Sequence, residues 1–266
     1  MKYISSRDNA LYKQLLRLAS GRPSRDAANL VLLEGLNLCQ AWLQHHGAPV
    51  RAVFDAERLD RGGPLRALAE AVGDAASIAC EPRLARGLSQ VESGQGIYFM
   101  VEAPRPDLPE YIDHNCLWLD RIQDPGNVGT LLRTAAAAGI RHAYLSTGTC
   151  AAWSPKVLRS AQGAHFAMTL HEQVDLAAAH ERLTVPLAAT LLEGGEPLFD
   201  VPLPERCAWL MGNEGQGASP ELAALAQLRV YVPQAPYVES LNVAAAAAIC
   251  LFEQRRRWLG RAVQAQ

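Results

Sequence analysis

No stretch of the 266-residue chain approaches the roughly 20 consecutive apolar residues that cross a bilayer, so no membrane span is expected. The opening MKYISSRDNALYKQ places charges where a secretory leader needs an apolar run, and the expected compartment is the cytoplasm. The six cysteines (Cys39, Cys80, Cys116, Cys150, Cys207, Cys250) form no CxxC pair and have no histidine at ligand spacing. Buried reduced thiols account for them, and neither a metal site nor a disulfide framework is expected. Internal repeats are absent, as are low-complexity stretches beyond alanine-rich helices. A strong net charge is missing too: 25 Lys and Arg against 27 Asp and Glu give −2, a sum that on its own argues against a nucleic-acid partner.

The distribution of charge says more than its sum. Residues 1–25 carry Lys2, Arg7, Lys13, Arg17, Arg22 and Arg25 against Asp8 alone, and the tail carries Arg255, Arg256, Arg257 and Arg261 with no acid after Glu253. The middle is correspondingly acidic. Basic ends suit RNA phosphates but equally suit solvated helix faces. With 49% hydrophobic and 20% charged residues the chain can bury a core, and its length suits two α/β domains.

Leu11, Leu15, Leu16 and Leu18 stand near helical spacing among basic residues, predicting an amphipathic helix over 8–20. Strands are predicted at Leu30–Leu33, Val50–Phe54, Ile78–Cys80 and Gln95–Val101, with helices over 36–45 and 64–72 between them. The alternation implies a βαβ unit and a mainly parallel sheet. APRPDLP at 103–109 holds three prolines in seven residues and reads as a linker. The expected organisation is a first domain at 1–102, a linker at 103–111 and a second domain at 112–266. Further strands are predicted at Cys116–Leu119, His142–Leu145, Leu187–Thr190, Ala208–Met211 and Val230–Val232, with helices over 129–138 and 240–258.

Three segments of the second half carry chemistry. Asp124-Pro125-Gly126-Asn127-Val128-Gly129 leads from a strand into a helix, where amides and the positive end of the helix dipole meet a ligand. Asn127 can cap that helix, and Arg133, about one turn past Gly129, can offer its planar fork to a phosphodiester. A capped helix with a surface arginine would look the same. Next, Trp209-Leu210-Met211 runs into Gly212-Asn213-Glu214-Gly215-Gln216-Gly217, which lacks the spacing of a dinucleotide fingerprint and could be a turn with positive-φ glycines. Glu214 is a carboxylate in an apolar-flanked loop, suited to a ligand, a cap or an arginine. Finally, Val232-Pro233 and Ser240-Leu241-Asn242 precede the alanines 244–248, with Ser240 a good N-cap and Asn242 in the first turn.

Taken in order, Asn-x-Gly-x-x-x-Arg, Gly-x-Glu-Gly and Ser-Leu-Asn resemble the three motifs of the SpoU/TrmH family of the SPOUT methyltransferase superfamily. The resemblance extends to Lys156–Ala164, to Leu33-Glu34-Gly35 and to Gln95-Gly96-Ile97, and so covers nearly the whole chain. It implies an α/β fold: a C-terminal SPOUT domain with a mainly parallel sheet and a deep trefoil knot, preceded by a smaller α/β substrate-binding domain, working as a homodimer. The implied cofactor is S-adenosyl-L-methionine, contacted by Gly212, Val232 and Leu241 with Thr190 nearby. Asn127, Arg133, Glu214, Ser240 and Asn242 match the family's catalytic positions. Gln234 and Pro236 stand where the family often has Met and Gly, and Pro236 stiffens a loop that would wrap the adenosine.

The implied activity is methylation of a ribose 2′-hydroxyl in structured RNA. The segment Ser5-Ser6-Arg7-Asp8-Asn9 and the Glu34-Gly35 domain are similar to members acting on large-subunit ribosomal RNA, with transfer RNA as the alternative substrate. A non-catalytic RNA-binding protein of this fold and a dinucleotide enzyme are the competing functions. The intact polar set argues against the first, and the missing fingerprint against the second.

Overall fold

The computed structural model describes residues 1–21 and 29–264, with side chains described up to residue 259. Arg22, Arg25 and the side chain of Arg261, counted above among the basic termini, lie outside the described residues. The chain divides into two compact units, Met1–Pro104 with Trp153–Arg159, and Arg105–Ala152 with Ser160–Gln266.

In chain order the first unit holds β1 (Lys2–Ile4), α1 (Ala10–Ala19), β2 (Leu30–Glu34), α2 (Leu36–His46), β3 (Arg51–Asp55), α3 (Ala56–Asp60), α4 (Pro64–Val72), β4 (Ser77–Cys80), α5 (Pro82–Leu88) and β5 (Ile97–Glu102). Asn9 starts α1 by accepting from the amides of Leu11 (2.9 Å) and Tyr12 (3.2 Å). The helix buries Tyr12, Leu15 and Leu18, whereas Leu16, expected on the apolar face, is exposed. The sheet order is β1-β4-β3-β5-β2. A mainly parallel sheet was expected here, and only half of it is: β4 runs parallel to β1 and β3, but β5 is antiparallel to β3 and β2. Ile97 pairs with Phe54 near the end of β3, so β5 starts at the edge where β3 finishes and can only run back.

Two sequence marks some 60 residues apart meet in this unit. The Leu36 amide donates to Gln95 Oε1 at 2.6 Å, and the Gly35 amide donates to the Ile97 carbonyl at 3.1 Å. Gly35, at φ 103°, takes a backbone conformation closed to most side chains. Leu33-Glu34-Gly35 and Gln95-Gly96-Ile97 therefore hold the β2–α2 turn together.

The second unit continues with β6 (Cys116–Leu119), α6 (Pro125–Ala137), β7 (His142–Ser146), α7 (Pro155–Ala161), a 3₁₀ turn (Ala164–Ala167), β8 (Thr169–Val174), α8 (Leu176–His180), β9 (Leu187–Thr190), β10 (Glu196–Pro197), β11 (Ala208–Met211), α9 (Pro220–Leu225), β12 (Leu228–Tyr231) and α10 (Val243–Gln264). Residues Pro155–Arg159 of α7 group with the first unit. The sheet order is β10-β12-β9-β11-β6-β7-β8, and every pairing is parallel. All four residues of β6 and all four of β11 are buried, as strands covered on both faces require. The carboxyl ends of β6, β9, β11 and β12 consequently open on one edge, where ligands collect in such folds.

Two caps differ from expectation. The helix predicted from Gly129 begins at Pro125, because proline suits the first helical position and Asp124 Oδ1 accepts from the Asn127 amide at 2.9 Å. Asp124, not Asn127, is the cap. At α10 the cap is Asn242 rather than Ser240: its Oδ1 accepts from the amides of Ala244 (2.9 Å) and Ala245 (3.4 Å). An Asp124→Ala variant is expected to lose about 1 kcal/mol, seen as a fall in Tm of about 2–4 °C. An unchanged Tm would contradict that capping role.

Of the Pro-rich stretch, Leu108 and Pro109 are fastened within the second unit by Arg182 Nη1, which donates to their carbonyls at 3.4 and 3.0 Å. Strands β1, β8 and β10 and helices α3, α5, α7, α8 and α9 are not among the predicted elements. The helices are short, and TLHEQV in β8 shows little apolar alternation. All six cysteines are free and five are buried; burial pushes the thiols of Cys207 and Cys250 up to about 12, which keeps them unreactive. Among the described residues no helix is long and apolar enough to cross a membrane.

Candidate active site

Glu214 ties three loops together. Its Oε1 accepts from the Asp124 amide (3.0 Å) and from Asn127 Nδ2 (3.0 Å), and its Oε2 accepts from the Gln123 amide (3.2 Å). Asn242 Nδ2 then donates to Asn127 Oδ1 at 3.0 Å. The loops after β6 and β11 and the start of α10 are thus joined through side chains 87 and 115 residues apart. Partial burial of the Glu214 carboxyl would raise its pKa, but the bonds from Asn127 and the amides of Asp124 and Gln123 outweigh it. Its pKa lies below the ordinary carboxylate value, so Glu214 is an anion at neutral pH and accepts without donating. Its three hydrogen bonds make it a brace between the loops.

Beside this brace opens a cavity of about 450 Å³, within the range that holds small-molecule ligands. Thr190, Gly212, Val232 and Leu241, the four positions assigned to cofactor binding from sequence, all line it, as do Glu214 and Ser240. Gly212 has no room for a side chain: a β-carbon there would sit 1.9 Å from the Ala218 amide nitrogen and 2.1 Å from the Gly217 carbonyl carbon. The chain folds back on itself at this point and leaves backbone, not side chain, facing the cavity.

Arg133 stands apart. It lies on α6 beyond Asn127, is exposed, and its side chain has no hydrogen bond or ion pair among the described residues. Of the five predicted catalytic residues, then, Asn127, Glu214 and Asn242 form one bonded cluster, Ser240 lines the cavity as Glu214 does, and Arg133 remains an uncommitted cation. The C-terminal arginines behave otherwise. Arg255 Nη1 donates to the Ala138 carbonyl (3.0 Å), and Arg256 and Arg257 both pair with Glu253 (2.7 Å each). Of this basic tail, expected to favour RNA, Arg255 and Arg257 tie α10 to Ala138 and to Leu198 and Phe199, while Arg256 makes an exposed pair within the helix.

Several contributors were missed in the sequence. Buried Asp120 accepts from the Ser219 amide at 2.7 Å and from Arg121 Nε at 3.2 Å. Arg121 adopts φ 55° and donates through Nη1 to Gln216 Oε1 at 3.1 Å. Asn213 Oδ1 accepts from the amides of Gly215 and Gln216, both at 3.0 Å, while its Nδ2 donates to the Arg121 carbonyl at 2.8 Å. The Asn two residues before a glycine was a readable turn signal; the conformation of Arg121 had none.

Comparison with known proteins gives a consistent set of relatives. The model of the SpoU rRNA Methylase family matches residues 114–252. The chain is 34% identical over 265 residues to the 23S rRNA (guanosine(2553)-2′-O)-methyltransferase RlmP of Bacillus subtilis, covering 96% of this chain and 100% of that protein. It is 30% identical to the 23S rRNA (uridine(2479)-2′-O)-methyltransferase of Streptomyces viridochromogenes, over 97% of this chain and 93% of that one. Among solved structures, the AdoMet-bound rRNA methyltransferase of Sinorhizobium meliloti superposes with a TM-score of 0.83 at 27% identity, covering 96% of this chain and 98% of that chain.

Proposed function

Since the chain belongs to the SpoU rRNA Methylase family, we propose that it transfers a methyl group from S-adenosylmethionine to a ribose 2′-hydroxyl of large-subunit ribosomal RNA. The observation that carries this reading is the bonded cluster of Asn127, Glu214 and Asn242 at the rim of a cavity lined by Thr190, Gly212, Val232 and Leu241. Relatives named for 23S rRNA favour ribosomal over transfer RNA as the substrate. A dinucleotide enzyme and a non-catalytic RNA binder lose ground on the same observations.

The residues present fit such a donor. The tight fold at Gly212 exposes backbone to an apolar and polar mixed wall, and one buried side-chain acceptor in that wall has no partner among the described residues. When bound, S-adenosylmethionine supplies an electrophilic sulfonium methyl and a neutral thioether leaving group. The chain must bring the hydroxyl into line with that methyl, the oxygen–methyl bond forming as the sulfur–methyl bond breaks and the hydroxyl proton passing to solvent water. In this proposal Ser240, which lines the cavity, and Asn242, bonded to Asn127, orient the hydroxyl. An arginine side chain is a cation that donates without accepting, so Arg133 is given no role as a base. Its role in this proposal is to clamp the neighbouring phosphate and stabilise charge growing on the 2′-oxygen. The proposed working unit is a cytoplasmic homodimer, with residues 1–102 binding RNA and knotted loops of the second domain holding the donor.

The test is methyl transfer by the full chain from labelled donor to 23S rRNA prepared from cells lacking the protein. Labelling of one ribose that is unmethylated in those cells is expected; no incorporation, with no ribose methylation lost in the cells, sinks the assignment. For Arg133→Lys, which keeps the charge but loses the planar fork, turnover is expected to fall about tenfold. Full turnover with unchanged RNA affinity would remove the clamp.

A further inference from the structure

We infer that Gln234 selects the base of the methyl donor, its side-chain carbonyl oxygen accepting a hydrogen bond from the exocyclic amine of adenine. The inference rests on the donor-binding reading above. Gln234 lines the cavity between Val232 and Glu239. Its Nε2 donates to the Glu239 carbonyl at 3.3 Å, which fixes which end of the carboxamide faces which way. The opposite atom, Oε1, is buried and has no hydrogen-bond partner among the described residues. A buried amide oxygen without a hydrogen-bond partner is costly to keep, so a wall that keeps one is shaped for a donor that arrives with the ligand.

The chemistry of the ligand narrows which donor that is. A carboxamide oxygen only accepts. Ribose hydroxyls both donate and accept, and so do not require a pure acceptor. An ammonium group favours a carboxylate, and Glu193 and Glu239 both line the same cavity. The adenine 6-amino group offers N–H alone, at the edge of a flat ring suited to Leu191 and Leu192. It is the complement of Gln234 Oε1. Hypoxanthine, with an oxygen in place of that amine, would set two acceptors against each other, and sites built around a hydrogen bond reject analogues that lack it.

The experiment is calorimetry on the full chain with S-adenosylhomocysteine and S-inosylhomocysteine, comparing wild type with Gln234→Met, which keeps length and removes the acceptor. Wild type is expected to bind the adenosyl compound at least about tenfold more tightly than the inosyl one. In Gln234→Met the adenosyl affinity is expected to drop about tenfold while the inosyl affinity holds, collapsing the preference. Equal wild-type affinity for the two compounds overturns the inference by itself, whatever the variant does. So does a variant that weakens both alike. If wild type binds neither compound, the methyl-donor reading fails and takes this inference with it; binding without discrimination sinks the inference alone.

Discussion

Glu214→Ala is expected to lower turnover by about 100-fold, the scale on which small misplacements of catalytic groups act, with a much smaller change in donor affinity. The carboxylate takes three hydrogen bonds from the β6–α6 loop, and Asn242 reaches the cluster only through Asn127. Without it, three donors lose their acceptor and Asn127 loses the anchor that presents its oxygen to Asn242. The same variant carries a pH signature. The folded state holds the Glu214 pKa below its ordinary value, so its stabilisation is fully present above the unfolded value of about 4.3 and is lost as pH falls through the lower, folded one. Because the side chain is largely exposed, the effect is modest and screened by salt. The difference in Tm between wild type and Glu214→Ala should therefore be constant above about pH 6 and shrink as the solution is acidified below about pH 4. A gap that widens on acidification, or an unaltered turnover, would show that Glu214 does not brace the site.

The parts of this site that were readable in sequence are those where a polar residue interrupts an apolar strand end. Glu214 stands just past the buried run of β11, Asn127 lies in the first turn of α6 and Asn242 caps α10, so each is a polar residue at the end of a strand or the start of a helix. The parallel sheet of the second unit was readable for a related reason: strands covered on both faces have nowhere to place charge, so Cys116–Leu119 and Ala208–Met211 are apolar throughout. Caps were misread because neighbours share the same propensity. Ser240 and Asn242 are both good N-caps, and two residues of loop decide between them. The direction of β5 was invisible because antiparallel return depends on where a loop ends, which composition does not record. Asp120 and Arg121 escaped for a harder reason. Their importance lies in a buried carboxylate and a positive φ, and neither leaves a mark on residue type.

Gly212→Ala should cost more than any substitution on the opposite wall of the cavity, with donor affinity falling by well over about 100-fold. A flexible side chain can yield to an added methyl, but here the obstacles are backbone atoms: the Ala218 nitrogen at 1.9 Å and the Gly217 carbonyl carbon at 2.1 Å. At such separations the turn that brings residues 217–218 back over Gly212 has to open. Opening it displaces Asn213 and Glu214 together, since Asn213 Oδ1 holds the amides of Gly215 and Gln216 and Glu214 holds the loop before α6. The donor cavity and the catalytic brace are therefore expected to fail in one step. Strand β11 ends at Met211 and lies buried between β9 and β6, so the sheet itself should survive at a cost of about 1–3 kcal/mol, the usual penalty of overpacking. Thermal unfolding would report that modest loss, and calorimetry with S-adenosylhomocysteine would report the large one. If Gly212→Ala binds the donor product as tightly as wild type, the cavity between β9, β11 and β12 is not where the methyl donor sits.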